Sequence, residues 1–440
     1  MIKHLHEIRD PIHVFIRLDA DERQVLDSLP FQRLRQIHQL AMTYLVYPGA
    51  THRRFEHSLG VMELADRVYN IVTTPNNIEH QSVKNILPEY DSLEHKYWRR
   101  VLKTAALCHD LGHLPFSHGA EEDLFPTGWD HERMTAEIIR SDEMQHILNE
   151  MTVTPKPEDI IKVALGPKKA KELKFNDWET ILSEIIVGDA FGVDRMDFLL
   201  RDSLHTGVAY GKFDHYRLID TLRILPKSST EEGSTEPILG LTVGGLQSSE
   251  ALLWARYFMY SQVYFHPIRR IYDIHLRDFL KNWPILEDGK FSTRVEDHLK
   301  ITDNEVIVEM RKAALDPKHP GHIHSKRIME HKHFQVLYRR NPTDQDINSD
   351  AVKSVYKAMC QKFGDDLIRC DEYIQKGESQ VFPVLDHGNI LQSIELSDTL
   401  AKVPVFAIGY VFVDRDLFNT AEKWLEDNRN DIIKPLGVID

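Results

Sequence analysis

The sequence predicts a mostly α-helical protein with a small β-hairpin and a C-terminal α+β lobe. Three observations support this. Helical spacing of hydrophobic residues dominates positions 15–285, a polar segment separates two short strand-like runs near residue 230, and a mixed pattern follows residue 290. The chain has 440 residues, of which 42% are hydrophobic, so it can bury a large core.

Hydrophobic residues in the helical region recur three and four positions apart, which places them on one face of a helix. The clearest series are Phe55, Leu59, Met62, Ala65, Tyr69 and Val72; Trp98, Leu102 and Ala105; and Trp254, Phe258 and Tyr264. We therefore expect amphipathic helices that pack these faces into a common core.

The segment from Pro226 to Pro237 is polar and contains Gly and Pro, as is typical of a loop. It joins two strand candidates, Leu218–Leu225 and Ile238–Val243, and the helical surroundings indicate that they form only a small hairpin.

The C-terminal region mixes helical and strand patterns. We predict a charged helix near Val306–Leu315, strands at Val381–Leu385 and Val403–Val413, and a final helix near Leu417–Asn430. The chain is accordingly divided into a helical core at residues 1–290 and an α+β lobe at residues 291–440.

Charge and composition exclude several classes of protein. The net charge of −14 argues against a protein that coats nucleic acid through a broad basic face. No run approaches the roughly 18 apolar residues of a membrane span, and the N-terminal residues lack the apolar stretch of a secretory signal. The three cysteines Cys108, Cys360 and Cys370 do not suggest a disulfide framework. We expect a cytoplasmic protein without membrane contacts.

A His-Asp pair follows the helix predicted at residues 98–107. If that helix continues, His109 and His113 share one face, although Gly112 is a natural place for the helix to end. Asp110 adds an oxygen ligand beside imidazole nitrogen, a combination that suits Fe, Mn, Zn or Mg. Taken alone, the pair is more typical of a capped helix end with a surface carboxylate. His57 and Asp194, on separate predicted helices, extend the set and favour a metal site.

Several segments together carry a resemblance to a known family. They are DPIH, FQRLRQIHQL, YPGATHRRFEHSLGV, HDLGHLPFSH, DHE, VDRMDFLLRD and ARYFMYSQVYFHP. Over residues 5–285 the chain resembles the HD-domain deoxynucleoside triphosphate triphosphohydrolases, in pattern the sterile-alpha-motif/HD-domain enzyme and its bacterial relatives, here without the sterile-alpha-motif domain.

This resemblance implies an HD phosphohydrolase core and a divalent metal, which is Fe, Mn, Mg, Zn or Ni. The implied metal ligands are His57, His109, Asp110 and Asp194. The implied reaction is hydrolysis of a dNTP to a deoxynucleoside and intact triphosphate.

The resemblance also assigns catalytic roles. His118 matches the general acid, and Glu121 could hold its ring; an exposed Glu pair at 121 and 122 is the alternative. His113 and His131 match positions that line the phosphates or a second metal. After Asp130, a good N-cap, His131 is also typical of an ordinary first helical residue.

Substrate contacts follow by the same resemblance. Arg54, Arg195 and Arg256 match triphosphate-binding positions. Gln39 and Asp202 match those that hydrogen-bond the 3′-hydroxyl, and Leu40 and Tyr264 match those packing against C2′. An apolar wall at C2′ would select dNTPs over NTPs.

An activator site is implied as well. Asp27, Gln32 and Arg35 stand at guanine-reading positions, which suits GTP, dGTP or another dNTP as activator. The alternative is that Gln32, Arg33 and Arg35 form the solvated face of a helix. The family also implies a homo-oligomer, a tetramer or a dimer.

The segment 311–340 has eight Lys or Arg against two acids, Asp316 and Glu330. It suggests an intersubunit phosphate site or a place for single-stranded nucleic acid; a solvated loop is the alternative. Phe334 and Tyr338 lie at helical spacing within it and are expected in the core.

Two other functions remain open. An HD phosphodiesterase or nuclease, acting on nucleic-acid ends or other nucleotides, would use the same metal ligands. A nucleotide-sensing module without activity would not need the complete ligand set and an acid at His118.

Overall fold

The computed structural model describes residues 5–121, 124–226, 236–374 and 381–434, with the side chains of His118 and Ala120 outside the description. The fold is mostly α-helical with small sheets, as the sequence predicts. Its helices are α1 Ala20–Asp27, α2 Leu29–Arg33, α3 Arg54–Thr73, α4 Gln81–Lys84, α5 Leu93–Cys108, α6 His118–Glu121, α7 His131–Ile139, α8 Asp142–Glu150, α9 Pro157–Lys169, α10 Asp177–Val187, α11 Val193–Thr206, α12 His215–Thr221, α13 Leu246–Met259, α14 Pro267–Lys281, α15 Val295–His298, α16 Asp303–Leu315, α17 His322–Met329, α18 Pro342–Ile347, α19 Ala351–Phe363, α20 Ser393–Leu396 and α21 Phe418–Ile432.

The strands form three sheets in the described residues. They are β1 Leu5–Asp10, β2 Val14–Asp19, β3 Leu222–Pro226, β4 Pro237–Thr242, β5 Gln335–Arg339, β6 Ile368–Ile374, β7 Pro383–Asp386, β8 Asn389–Gln392 and β9 Ala407–Val413. β1 and β2 form an antiparallel hairpin, the second sheet has the order β3-β4-β7-β8, and the third has the order β5-β9-β6.

The chain forms two compact units, and neither is continuous in sequence. The first comprises residues 1–259, 290–305 and 379–403, and the second comprises residues 260–289, 306–378 and 404–440. The boundary predicted near residue 290 falls where the chain returns from the second unit to the first. The division into 1–290 and 291–440 stays a prediction.

The first unit contains the helices with the strongest sequence pattern. The predicted faces of α3 and α5 are buried; Leu59, Met62, Leu102 and Ala105 are each 0–1% exposed. The prediction for α13 is wrong in one respect, because Phe258 is 41% exposed. Its ring stacks on Trp254, with 5.7 Å between the ring centroids.

The predicted hairpin exists but belongs to a larger sheet. β3 pairs with β4 in antiparallel orientation, and β4 also pairs with β7 in parallel. The apolar run near residue 381 therefore completes a sheet begun near residue 222. The N-terminal hairpin of β1 and β2 was not predicted, since most of its side chains are exposed or half-buried and its alternation is weak.

The second unit contains the α+β part. Its sheet packs against α19 and α21 around buried residues that include Val352, Val355, Met359 and Val411. Phe334 and Tyr338 are buried, at 1% and 6% exposure. Their spacing nevertheless does not reflect a helix, because β5 begins at Gln335 and includes Tyr338.

None of the described helices has the length and apolar character that a membrane span requires. The three cysteines are free thiols, as expected, and Cys108 is buried at the end of α5.

Candidate metal centre

The first turn of α3 positions His57. Glu56, in the same turn, accepts a hydrogen bond from the backbone nitrogen of Arg53 at 2.7 Å, which fixes the start of the helix. His57, the next residue, is fully buried. Its side chain is therefore held at a defined helix end, close to the first residues of α3.

The His-Asp pair lies just beyond a helix rather than within one. α5 ends at Cys108, and residues 109–112 form turns, so His109 and His113 do not share a continuous helical face. The Nδ1 atom of His109 donates to the carbonyl of Ala106 at 2.8 Å. This hydrogen bond leaves Nε2 of His109 as the nitrogen with a free lone pair.

Four predicted ligands meet in the first unit. Asp194 Oδ1 lies 3.0 Å from His57 Nε2 and 3.6 Å from His109 Nε2. Asp110 Oδ1 lies 3.4 Å from His109 Nε2, and Asp110 Oδ2 lies 3.7 Å from His57 Nε2. Two imidazole nitrogens and two carboxylates thus face one small space, supplied by α3, the turn after α5, and α11.

The donor set fits a divalent cation. His109 Nε2 is buried and has no hydrogen-bond partner among the described residues. Burial opposes charge on His57, yet its hydrogen bonds to Asp194 and Asp197 raise its pKa to about 10. A proton held this firmly between carboxylates occupies the position that a cation takes when metal binds. Mixed imidazole and carboxylate ligands suit Fe, Mn or Zn.

A carboxylate that the sequence analysis missed lies behind His57. Asp197 Oδ2 accepts a hydrogen bond from His57 Nδ1 at 2.8 Å, on the side of the ring away from Asp194. Asp197 is fully buried and also contacts His13 and Arg201. One signal was available in VDRMDFLLRD, because Asp197 follows Asp194 by three residues and Arg201 follows Asp197 by four.

A second cluster adjoins the first and contains three of the predicted catalytic residues. The rings of His113 and His131 stack with centroids 3.9 Å apart. Glu121 Oε1 lies 3.4 Å from His113 Nδ1, and Oε2 lies 3.0 Å from His131 Nδ1. Asp110 Oδ1 lies 3.2 Å from His113 Nε2, so this one carboxylate contacts both clusters.

The two histidines of this cluster differ in charge. Burial, together with the positive charges of Arg54 and His131, lowers the pKa of His113 to about 3. Burial also opposes charge on His131, but the Glu121 and Glu132 carboxylates raise its pKa to about 9. At neutral pH the pair therefore consists of a neutral ring stacked on an imidazolium.

For Glu121 and His131, the sequence left an ordinary surface or helix-start position open beside a role in the site. Glu121 is not an exposed residue, since its carboxylate lies between His113 and His131. His131 does follow an N-cap, because Asp130 accepts from the backbone nitrogen of Arg133 at 2.9 Å, and it also faces the cluster. The predicted acid His118 begins α6, but its side chain lies outside the described residues.

Arg54 is held inside the site. Its Nη1 atom donates to Asp110 Oδ2, and its Nε atom donates to Ser117 Oγ at 2.7 Å. The charge of Arg54, followed by those of His109 and His113, holds the pKa of Asp110 well below its usual range although burial opposes this. The predicted phosphate contact of Arg54 stays a prediction.

Three of the predicted sugar-contacting residues lie in the first unit. The backbone nitrogen of Gln39 donates to the carbonyl of His52 at 3.1 Å, and His52 Nε2 lies 2.6 Å from Asp202 Oδ1. His52, which the sequence analysis did not single out, thus connects the two predicted residues. The Oε1 atom of Gln39 is buried without a hydrogen-bond partner in the described part of the chain, and Leu40 is buried nearby in sequence.

The other predicted substrate residues are more dispersed. Arg195 follows Asp194 on α11 and donates to the carbonyls of Gly188 and Asp189. Arg256 is half-buried near the end of α13. Tyr264 lies in the second compact unit, where its ring contacts that of Tyr260 at a centroid distance of 5.3 Å.

The predicted activator residues have partners within the chain. Arg35 Nε donates to Gln32 Oε1 at 2.9 Å, and its guanidinium lies 3.4 Å from the centroid of the Phe55 ring. Asp27 accepts from Arg23 at 2.7 Å on the surface of α1. The alternative of a solvated helix face is wrong for Arg33, which is buried and donates to the carbonyls of His113 and Ile301.

The basic segment in the second unit is partly neutralised by acids. Lys326 and Lys332 lie 3.5 and 2.7 Å from Glu330, and Arg327 lies 3.4 Å from Asp414. Nucleic-acid binding by this segment stays a prediction.

A third His/Asp cluster lies in the same unit and contains His275, Asp278 and His324. Arg369 donates to Asp278 at 3.0 Å, and the backbone nitrogen of Phe334 donates to His275 Nε2 at 3.3 Å. Because a guanidinium already neutralises the carboxylate, this cluster is a poorer cation site than the one in the first unit.

Comparison with known proteins identifies the families that this chain resembles. The HD domain family matches residues 54–172, which include His57, His109 and Asp110, and the HD associated region matches residues 213–362. A hypothetical protein from Aquifex aeolicus of known crystal structure is 32% identical, with a TM-score of 0.76, and the match covers 96% of this chain and 100% of that one.

Two curated proteins are similar to the chain in sequence. The uncharacterized protein MJ1154 of Methanocaldococcus jannaschii is 36% identical over 270 residues, which are 61% of this chain and 48% of that protein. The deoxynucleoside triphosphate triphosphohydrolase SAMHD1 of Homo sapiens is 29% identical over 372 residues, covering 77% of this chain and 56% of the human protein. The chain spans about half the length of these two relatives. It belongs to the HD-domain family and is similar there to the deoxynucleoside triphosphate triphosphohydrolases.

Proposed function

We propose that the protein is a metal-dependent phosphohydrolase that cleaves dNTPs to deoxynucleosides and triphosphate. The observation that carries the proposal is the unpartnered, buried Nε2 of His109 facing Asp110 and Asp194. His57 completes a set of two imidazoles and two carboxylates, the ligand types that hold a catalytic cation. The similarity to SAMHD1 supports a dNTP as substrate.

Each member of the set has a defined part. His57, His109, Asp110 and Asp194 would hold the cation, which supplies positive charge to the phosphate and acidifies water when bound. Water attacks the α-phosphorus, the bond from phosphorus to the 5′-oxygen breaks, and that oxygen must gain a proton to leave. We assign this proton transfer to His118, in accord with its position in the sequence.

The second cluster would bind the phosphates. Because Glu121 helps to raise the pKa of His131 to about 9, this ring is an imidazolium at neutral pH and can donate to a phosphate oxygen. His113 is neutral under the same conditions and can accept a hydrogen bond from water. Arg54 adds a further positive charge beside Asp110.

Product analysis tests the reaction. The purified protein is incubated with Mn²⁺ or Fe²⁺ and each dNTP, with and without GTP, and the products are separated by ion exchange. Deoxynucleoside and triphosphate are expected in equimolar amounts. Release of pyrophosphate or of monophosphate from dNTPs would contradict the proposal, and cleavage of oligonucleotide ends or cyclic nucleotides instead would favour the phosphodiesterase alternative.

The sugar preference is a separate prediction. We expect dGTP to be cleaved roughly ten- to hundredfold faster than GTP, because burying an unpaired 2′-hydroxyl against Leu40 costs on the order of 1–3 kcal/mol. A Leu40→Ala variant should bring the dGTP and GTP rates closer together, whereas Leu148→Ala, at another buried site, on α8, should leave their ratio unchanged. Equal rates for dGTP and GTP in the wild type would show that no such wall exists.

A further inference from the structure

Asp197 is not a predicted metal ligand, yet its buried carboxylate accepts hydrogen bonds from four donors. It accepts from His57 Nδ1 at 2.8 Å, from His13 Nε2 at 2.7 Å, and from the Nε and Nη2 atoms of Arg201 at 2.8 and 2.9 Å. Four donors converge on two oxygens, and Asp197, Arg201 and the ring of His13 are almost inaccessible to solvent. No residue of this group except His57 belongs to the predicted site.

We propose that Asp197 is the positioning residue of the metal centre and that His13, from the N-terminal hairpin, and Gly60, on α3, are required for its placement. By accepting from Nδ1, Asp197 fixes the tautomer of His57 in which Nε2 faces Asp194 and Asp110. This inference rests on the metal site of the proposed function, but not on its substrate.

Asp197 acts through His57 and is not itself a ligand. It contacts the Nδ1 edge of the ring, whereas the candidate ligands face the Nε2 edge. Its oxygens are already engaged by four donors, and the adjacent guanidinium of Arg201 repels any cation that approaches from this side. The arrangement matches the general pattern in which a carboxylate orients a ligating imidazole.

The network extends to the N-terminal hairpin. Arg201 Nη1 donates to Asp10 Oδ2 at 2.8 Å, and Asp10 Oδ1 accepts from the backbone nitrogens of Ile12 and His13. Asp10 thereby fixes the turn that directs His13 towards Asp197. The hairpin of β1 and β2 is thus connected to the metal centre by side chains and does not merely cover the helices.

Gly60 provides the space for this network. It lies three residues after His57 on α3, and a Cβ atom at this position would overlap Asp197 Oδ1 and approach Arg201 Nη2 to 2.5 Å. Any larger residue must therefore displace the carboxylate from its position behind His57. The glycine of the EHSLG segment is explained by this close approach of α3 and α11.

Metal affinity provides the test, because it requires neither nucleotide nor turnover. Mn²⁺ is titrated into the metal-stripped full chain. Binding is measured by calorimetry and by the electron paramagnetic resonance signal of free Mn²⁺. We expect Asp197→Asn, His13→Leu and Gly60→Ala each to weaken Mn²⁺ binding about 10- to 100-fold. His13→Gln, whose amide can still donate to Asp197, should remain close to the wild type.

Asp344→Asn is the matched control. Asp344 is a buried carboxylate in the second unit that accepts from Tyr338 and Arg429, so the substitution removes comparable contacts away from the metal. Wild-type affinity in Asp197→Asn, or an equal loss in Asp344→Asn, would overturn the proposal. If Asp197→Asn does not fold, His13→Leu and Gly60→Ala decide by the same criterion.

The outcome is separable from that of the proposed function. A wild type that binds Mn²⁺, with the expected loss in the variants, but releases no triphosphate from any dNTP would contradict the proposed substrate and support the role of Asp197. A wild type that binds no divalent cation would overturn both the role of Asp197 and the metal part of the proposed function.

Discussion

Among the single residues of the site, Asp110 is the predicted ligand that contacts both histidine clusters. One of its oxygens faces His109 and His113, and the other faces His57 and accepts from Arg54. It is therefore the residue whose loss should disturb both histidine clusters.

We predict that Asp110→Ala abolishes metal binding and turnover while the chain stays folded. Removing one of the two carboxylates deprives the cation of one of its four ligands and of half of the negative charge that balances it. The checks are metal content by mass spectrometry, dNTP hydrolysis, and circular dichroism. Asp66→Ala, which removes the partner of Arg99 on the surface of α3, is the control and should retain both properties. Full activity in a metal-stripped Asp110→Ala protein would contradict the assignment.

At this scale the sequence predicted residue types in order, but not their hydrogen-bond partners. The sequence motifs allowed the predicted ligands to be named, because these motifs specify residue type and order along the chain. The ligands are His57, His109, Asp110 and Asp194. Their supporting groups could not be named, since His57 contacts a carboxylate 140 positions away and His13 contacts the same carboxylate from 184 positions away. No local pattern connects residues so distant in sequence.

Among the elements, α7 is the one joined most closely to the His-Asp turn. The hydroxyl of Thr135 donates to the carbonyl of His109 at 3.2 Å and accepts from the backbone nitrogen of Gly112 at 3.0 Å. A Cβ atom at Gly112 would overlap the carbonyl oxygen of His131. The role of Gly112 is therefore to let α7 approach the turn, rather than to end α5, which has already ended at Cys108.

We predict that Gly112→Ala lowers the free energy of unfolding by about 1–3 kcal/mol and weakens metal binding, because the backbone of α7 must move away. Urea unfolding and Mn²⁺ titration measure the two effects. Gly207→Ala is the control: among the described residues, apart from its chain neighbours, no heavy atom lies within 4 Å of a Cβ there, but φ is +76°, so the substitution should cost about 1 kcal/mol without changing metal affinity. Unchanged unfolding in Gly112→Ala would mean that the contact with α7 is not tight.

Helices were predicted better than strand pairing, and the reason is physical. The periodicity of α3 and α5 is a local property, so it can be read within a window of about 18 residues. β4 and β7 pair in parallel, but they are separated along the sequence by segments of the second compact unit. Only folding brings them together. The hairpin prediction was correct for the pairing of the two strands, wrong for residues 218–221, which belong to α12, and incomplete for the sheet.

On the scale of the whole molecule, the distribution of charge bears on the predicted assembly. The chain carries a net charge of −14, so two copies repel one another unless cations lie at their interface. Its basic residues are unevenly distributed, with eight Lys or Arg in the segment 311–340. The predicted activator residues Gln32 and Arg35 contact each other, and Arg35 is exposed.

We predict a homo-oligomer, a tetramer or a dimer, whose assembly or activity increases with a guanine nucleotide or a dNTP. Nucleotide binding between copies would join the activator residues of one chain to basic residues of another, so that binding and association strengthen each other. Mass measured by light scattering across protein concentration, with and without GTP, tests the linkage. Arg35→Ala should remove the response to GTP, whereas Arg17→Ala, at an exposed position of β2 that pairs with Glu7, should retain it. A monomer that hydrolyses dNTPs at full rate under every condition would contradict this prediction, because neither an interface nor an activator would then be needed for activity.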